Sequence, residues 1–403
     1  MGIPILTSNQ IPIQVFPKAT QRNPARYVGV LSALVVLVLV SCGPNPTNIP
    51  PPPATQIPKA APTPQTTEQP TPFILSEPGP YHLGIRRNLT YTDTDRGDRE
   101  VSIIIIYPAV TPQDSPLYAL VSGTPADLSG APYPLILSAS KDAFVFAPTL
   151  VSHGFVWIGV SKIDTYMPWN ENLIYQPQDI VFALDQAASN PLEGLEGMID
   201  FEHVGAMGYS FDGTNSLTLG GARVDPEFYL EQCTKAPSME PPLTPMEFDN
   251  YCTISKRWNQ FAANAGENVT TSDDGLWQPI TDPRIRAVMP MGPDGAWLFG
   301  KRGLAAVDRP TLIVNATEDE YCDYNREAVY IYEHLGTADK TLISFIGKSH
   351  MMIYDKEMVA RMAHFAVAFF GYHLQGRDEY AEYFSKDFVN QHADLFWGVY
   401  SGE

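Results

Sequence analysis

The chain has 403 residues, room for one large α/β domain or two smaller ones, because ordinary domains run to roughly 100–200 residues. Its formal net charge of -19 excludes a nucleic-acid partner and electrostatic docking on anionic lipid, both of which need clustered Lys and Arg. The acidity by itself says nothing about catalysis.

In chain order, Lys18, Arg22 and Arg26 flank the apolar stretch "YVGVLSALVVLVLV". Its length and flanks suit a secretory signal better than a membrane span. Leu39-Val40-Ser41-Cys42 resembles the lipobox of bacterial lipoproteins, in which the cysteine is acylated after cleavage. That resemblance implies removal of residues 1–41, a lipid on Cys42, and a protein held by its N-terminus in the bacterial cell envelope, outside the cytoplasm. An ordinary signal peptide with a chance cysteine is the competing reading. From Gly43 to about Phe73 the sequence is proline-rich and nearly free of large apolar residues, so it cannot build a core. Extended as polyproline II, at ~3.1 Å per residue, it reaches roughly 90 Å and reads as a stalk. The expected organisation is therefore a signal segment over 1–41, lipidated Cys42 with a linker over 42–78, and a folded domain over 79–403.

The domain opens with two β-rich runs, "RRNLTYTD" and "EVSIIIIYPA", joined by the turn "TDRGDR". Arg96-Gly97-Asp98 spells an adhesion tripeptide there, but a plain hairpin turn explains it. Strands and helices then alternate. "YPLILSA" predicts a buried strand, 143–153 a helix stopped at Gly154, and "FVWIGVS" a strand. "QPQDIVFALDQAAS" predicts a helix with Ile180, Ala183, Leu184 and Ala187 on one face. "HVGAMGYS" reads as a strand running into the helix "FDGTNSLTLGGA". Further strands are expected at "IRAVMPM", "PTLIVNAT" and "KTLISFIG", with helices at "NREAVYIYEHL" and "KEMVARMAHFAVAFFGYHL". This rhythm predicts an α/β fold, a mostly parallel central sheet with helices on both faces. Residues 222–281, rich in Pro, Met and aromatics, interrupt it. An insertion there sits over the carboxyl ends of the strands, where such sheets bind ligands, and is expected to act as a lid.

With Cys42 set aside, Cys233, Cys252 and Cys322 form an odd set for an oxidising compartment. Three pairings are open; Cys233 with Cys252 is favoured because both lie in the insertion.

"GYSFDG", Gly208 to Gly213, places Ser210 where a strand turns into a helix. Such a turn lifts the hydroxyl above the sheet and aims the following amide, that of Phe211, at a developing oxyanion. A serine needs a base, and the base a carboxylate to hold its tautomer. "LIVNATEDEYCD" ends one strand in a loop of acids and "LISFIGKSHMM" ends the next in a loop carrying His350, so the order Ser210, Asp319, His350 fits a triad. The other histidines do not follow the acid loop at a strand end. His153 closes a helix, with Gly154 as its C-cap.

On these residues the chain resembles the α/β-hydrolase fold, and more narrowly the platelet-activating-factor acetylhydrolase and predicted dienelactone-hydrolase-like group. The matching stretches are "GPYHLGIRRNLTYTDTDRGDREVSIIIIYPA", "YPLILSAS", "LVSHGFVWIGV", "GMIDFEHVGAMGYSFDG" and "RPTLIVNATEDEYC". The resemblance implies hydrolysis of a carboxylic ester by Ser210, Asp319 and His350, with no metal; the expected partner is a small-molecule ester, with no cofactor, and the protein is expected to be a monomer. It departs from the group twice. Asp212 stands where relatives usually have Gly, and Ala139-Ser140 stand in place of a His-Gly pair; by alignment the second oxyanion amide belongs to Lys141. A binding lipoprotein on the same fold and a serine peptidase are the alternatives, and fold alone does not choose among them.

Overall fold

A computed structural model describes residues 69–402 except 111–117, 162–166 and 241–242. The expected signal segment and Cys42 lie outside the described residues. The strands are β1 (His82–Asp93), β2 (Arg99–Ala109), β3 (Leu120–Ser122), β4 (Tyr133–Ala139), β5 (Val156–Ser161), β6 (Ile199–Tyr209), β7 (Ile285–Met291), β8 (Thr311–Ala316), β9 (Lys340–Phe345) and β10 (Leu395–Trp397). They form one sheet in the order β10-β9-β8-β7-β6-β4-β5-β2-β1-β3. The run from β5 through β4, β6, β7 and β8 to β9 is parallel, while β2 is antiparallel to both β1 and β5, and β10 to β9.

The apolar runs became strands buried on both faces. In β2, Ile103 and Ile105 enter the core on one side of the sheet and Ile104 and Ile106 the core on the other. β4 repeats the alternation with Leu135 and Leu137 against Ile136. Strands closed in from both sides need no polar positions, which is why these runs read as continuous rather than alternating.

Helices α1 (Ser140–Ser152) and α2 (Asn172–Ser189) cover opposite faces. Ile180, Ala183, Leu184 and Ala187 of α2 are all buried, as their spacing predicts. α1 starts at Ser140, three residues before the expected position, directly off β4. After β6 comes α3 (Phe211–Leu219), every residue of which is buried.

Residues 222–281 form α4 (Pro226–Lys235), α5 (Pro245–Cys252), α6 (Trp258–Ala265) and α7 (Glu267–Thr270). Asp225 caps α4 by accepting from the Phe228 amide, and Thr244 with Glu247 makes a capping box for α5. A disulfide joins Cys233 to Cys252, and Cys322 is a buried free thiol. Tyr229, Trp258, Phe261 and Trp277 pack ring to ring beneath these helices, with centroids 5.3 to 5.6 Å apart along the chain of contacts. The insertion also reaches the loop after β8. The Tyr251 hydroxyl donates to the Tyr321 carbonyl at 3.0 Å, and Arg326 pairs with Glu247 at 3.0 Å.

Beyond β7 lies α8 (Ala296–Leu304), which the composition around "GPDGAWLFG" did not suggest. The helix expected over 325–335 begins with a π-helical turn, Asn325–Val329, before α9 (Tyr330–His334). α10 (Lys356–Gln375) packs on the α1 face, and the short α11 (Lys386–Val389) precedes β10. Upstream of β1, Phe73 and Leu75 pack on α10. Phe73 meets His364, Phe365 and Phe388 edge-on and stacks on His392 at 4.3 Å, and the Leu75 amide donates to His364 Nδ1 at 3.1 Å. Among the described residues no helix is long and apolar enough to cross a membrane.

Candidate active site

Ser210 occupies the single residue between β6 and α3, with φ 62° and ψ −129°. A non-glycine residue in that region is strained by about 1–3 kcal/mol, and the strain lasts only where the surroundings over-determine it. They do so here. The Ser210 amide donates to the Met291 carbonyl of β7 at 2.8 Å, and its carbonyl accepts from Gly213 at 2.7 Å and Thr214 at 3.2 Å. Two glycines make room for the turn. A Cβ on Gly208 would lie 2.3 Å from the Asp212 carbonyl oxygen, and one on Gly213 would lie 2.8 Å from the Met291 carbonyl. The close approach to β7 is thus made at Gly213, and Asp212 needs no glycine in its own place.

The loops after β8 and β9 bring the other expected residues to the hydroxyl. His350 Nε2 lies 3.0 Å from Ser210 Oγ, and His350 Nδ1 lies 2.8 Å from Asp319 Oδ2. The other oxygen of Asp319 accepts from the amides of Tyr321 at 3.0 Å and Cys322 at 2.7 Å. Both oxygens are therefore committed and the carboxylate cannot turn away from the imidazole. Asp319 and His350 are each only 7% exposed, so their hydrogen bond is shielded from water.

His350 is further held by groups the sequence did not single out. Glu320 Oε2 accepts from its amide at 2.9 Å, and the Tyr209 hydroxyl donates to its carbonyl at 2.6 Å. Tyr209 immediately precedes Ser210, so β6 and the loop carrying His350 are joined directly. The acid-rich composition of "NATEDEYCD" signalled one orienting acid; that its neighbour would clamp the histidine backbone depends on a turn no composition reveals.

Phe211 is the first residue of α3 and Lys141 the second of α1, so both amides stand in the first turn of helices that begin at the carboxyl ends of β6 and β4. Those strands are neighbours. The Lys141 ammonium does more than its amide suggested: Nζ donates to the Tyr209 carbonyl at 2.9 Å and stands 2.9 Å from Asp212 Oδ2. Its side chain is a third exposed, yet burial lowers its pKa against the raising influence of Asp142, Asp294 and Cys322.

Beside Ser210, His350 and Asp319 lies a set of buried acids. Asp294, 1% exposed, accepts from the Trp169 indole at 2.7 Å and from the Thr214 hydroxyl, and burial raises its pKa. Glu327, wholly buried in the π-helical turn, accepts from the amides of Gly295 and Ala296 at 2.9 Å each and so caps α8. Burial, with Asp294 nearby, pushes it up to about 8.

Asp319, Cys322 and His350 each offer a potential metal ligand within 4.8 Å of one another. Asp319 and His350 spend that proximity on their mutual hydrogen bond, and burial raises the Cys322 thiol well above its ordinary range, which disfavours the metal-binding thiolate. His153 caps the far end of α1 and meets the Glu77 carbonyl at 3.0 Å; His364 is buried among aromatic rings, its pKa depressed by burial to about 3. A cleft of about 1440 Å³ between α2, the β1–β2 turn and α6 is lined by Arg96, Arg99, Glu171 and Arg257 but by none of the triad. It shares only Trp169 with the surroundings of Asp294.

No family model matches the sequence, and no curated protein is found to be similar to it.

Proposed function

We propose that this chain is a serine hydrolase of carboxylic esters, built on the α/β-hydrolase fold and held outside the cytoplasm by a lipid on Cys42. The observation that carries the reading is the unbroken relay from Ser210 through His350 to Asp319, at 3.0 and 2.8 Å, with the serine in a strained strand-to-helix turn. The sheet order supports it: eight strands run β1-β2-β5-β4-β6-β7-β8-β9 with β2 antiparallel, and nucleophile, acid and base follow β6, β8 and β9.

In this mechanism Ser210 Oγ attacks the ester carbonyl while His350 Nε2 takes its proton. Asp319 stabilises the imidazolium through Nδ1–H. The carbonyl electrons move onto oxygen, and the amides of Phe211 and Lys141, with the positive ends of α3 and α1 behind them, stabilise the charge. Collapse breaks the ester C–O bond, and His350 returns the proton to the departing alcohol. Water, deprotonated by the same imidazole, then cleaves the acyl-enzyme.

A fluorophosphonate probe should label Ser210 in the purified domain, and Ser210→Ala should lose both labelling and hydrolysis of a short aryl ester while keeping its melting temperature within a few degrees. Equal labelling of both proteins would place the nucleophile elsewhere. For the anchor, Cys42→Ser should leave the unprocessed protein without acyl chains and end incorporation of radiolabelled fatty acid. Undiminished incorporation would refute the lipid site.

A further inference from the structure

Asp212, one departure from the resembled pattern, meets in space Lys141 of α1, the residue that follows the other departure, Ala139-Ser140. Asp212 is 2% exposed. Its Oδ1 accepts from Asn215 at 3.3 Å, and Lys141 Nζ is the cation at its Oδ2, 2.9 Å away. A carboxylate taken out of water without a counter-charge is costly, so a buried Asp212 demands a cation close by. Lys141 supplies it from the neighbouring helix.

Neutralisation is only part of the arrangement. β6 runs on past its last pairing with β4, at Ala206, so the sheet leaves Tyr209 without a strand on that side. Consecutive residues of α1 replace the missing ladder: Lys141 Nζ donates to the Tyr209 carbonyl at 2.9 Å, and Asp142 Oδ2 accepts from the Tyr209 amide at 3.0 Å. Lys141 thus touches the peptide entering Ser210 and, through Asp212, the helical turn leaving it. On the other side Ser210 is fixed by Met291. A glycine after the nucleophile would remove the carboxylate that Lys141 meets at 2.9 Å, and a His-Gly pair in place of Ala139-Ser140 would alter the turn from which Lys141 projects.

We propose that Lys141 and Asp212 act as one positioning pair, each required by the other, that holds the backbone of Ser210 at the angle from which its hydroxyl attacks. The proposal rests on the serine-hydrolase reading above. Lys141→Met strands the Asp212 carboxylate and removes the donor to Tyr209; Asp212→Gly leaves Lys141 its bond to Tyr209; the double variant removes both charges of the pair.

The test is a double-variant cycle in the full domain, with kcat normalised to Ser210 sites titrated by the fluorophosphonate burst, and stability measured by urea unfolding. Lys141→Met should lower kcat per site about 100-fold with KM within about threefold, the split expected when only the transition state is affected. Adding Asp212→Gly should recover at least about tenfold, a coupling of ~1.4 kcal/mol. Lys141→Arg should keep kcat per site within about tenfold, since it retains charge and donor. Effects that multiply to within twofold, or a Lys141→Met protein with normal kcat per titrated site, would overturn the proposal in favour of a pair that merely stabilises. If Lys141→Met does not fold, Asp212→Gly and Lys141→Arg still report. A wild type that neither hydrolyses esters nor takes the probe sinks the hydrolase reading and the positioning role with it, whereas uncoupled kcat effects in an active enzyme sink the pair alone.

Discussion

Asp319 and Glu320 are adjacent carboxylates with different tasks at one histidine. Asp319 bonds the imidazole and Glu320 the backbone amide of His350. Losing an orienting carboxylate costs roughly 10⁴ in turnover because the imidazole takes the wrong tautomer. Asp319→Asn should therefore lower kcat by orders of magnitude with little change in KM, as measured by steady-state hydrolysis of an aryl ester. Glu320→Gln keeps an acceptor for the amide and should stay within about tenfold. Glu318 is exposed and Asp323 caps the Arg326 amide at 2.8 Å, so neutralising either should matter less still. A crippled Asp323→Asn beside a normal Asp319→Asn would move the acid assignment. At this scale the sequence was informative about chain order, since Ser210, Asp319 and His350 each follow a legible strand. It was silent about Lys141 Nζ and the Tyr209 hydroxyl, whose partners lie 68 and 141 residues away in the chain.

The insertion shows what element-scale reading could and could not deliver. Its interruption of the strand–helix rhythm was visible in composition, as was the reason to pair Cys233 with Cys252. Its helices were not, because α4 to α7 are short and Pro-punctuated, and no stretch is long enough for a 3.6-residue period to emerge. Their stability comes from caps, a shared aromatic core and the disulfide rather than from propensity. β10 was missed for the same reason: three residues carry no alternation. The disulfide closes a sequence separation of 19 residues, and a loop of that order is worth about 3 kcal/mol in the chain-entropy account. Reduction, or Cys233→Ser with Cys252→Ser, should lower the urea midpoint of the insertion, followed by the fluorescence of Trp258 and Trp277. Far-ultraviolet dichroism of the sheet should change little below that midpoint. Mass mapping without reduction should find a Cys233–Cys252 peptide; a linked Cys322 would contradict it.

For the molecule as a whole, the buried acids tie stability to pH. Glu327 is raised from 4.5 to about 8 on folding, so between those values the native state holds a proton that the unfolded chain releases. Stability therefore falls as pH rises through that window, and this contribution levels off above about 8. Glu327→Gln keeps an oxygen for the Gly295 and Ala296 amides and has no proton to lose. Its melting temperature should exceed that of wild type at pH 8 by about 2 °C or more and converge with it near pH 4.5, by calorimetry across the range. A constant difference at all pH values would mean that Glu327 is not the linked group. None of this was legible in the sequence, where Glu327 sits in an unremarkable helical run; only the π-helical turn takes it into the core.

The socket formed by His364, Phe365, Phe388 and His392 around Phe73 has a mechanical consequence. Any tension arriving along the chain from upstream of residue 69 meets this ring cluster before it reaches β1. It is borne in shear by Phe73 and by the Leu75 amide on His364, with Arg361 lying over the Phe73 ring at 5.0 Å. Such a pull would thus be taken up by α10 and the segment around α11, not by the first hairpin. β1, one strand in from the edge strand β3, would be isolated from such a pull, and Ser210, Asp319 and His350, which follow β6, β8 and β9, would keep their registration.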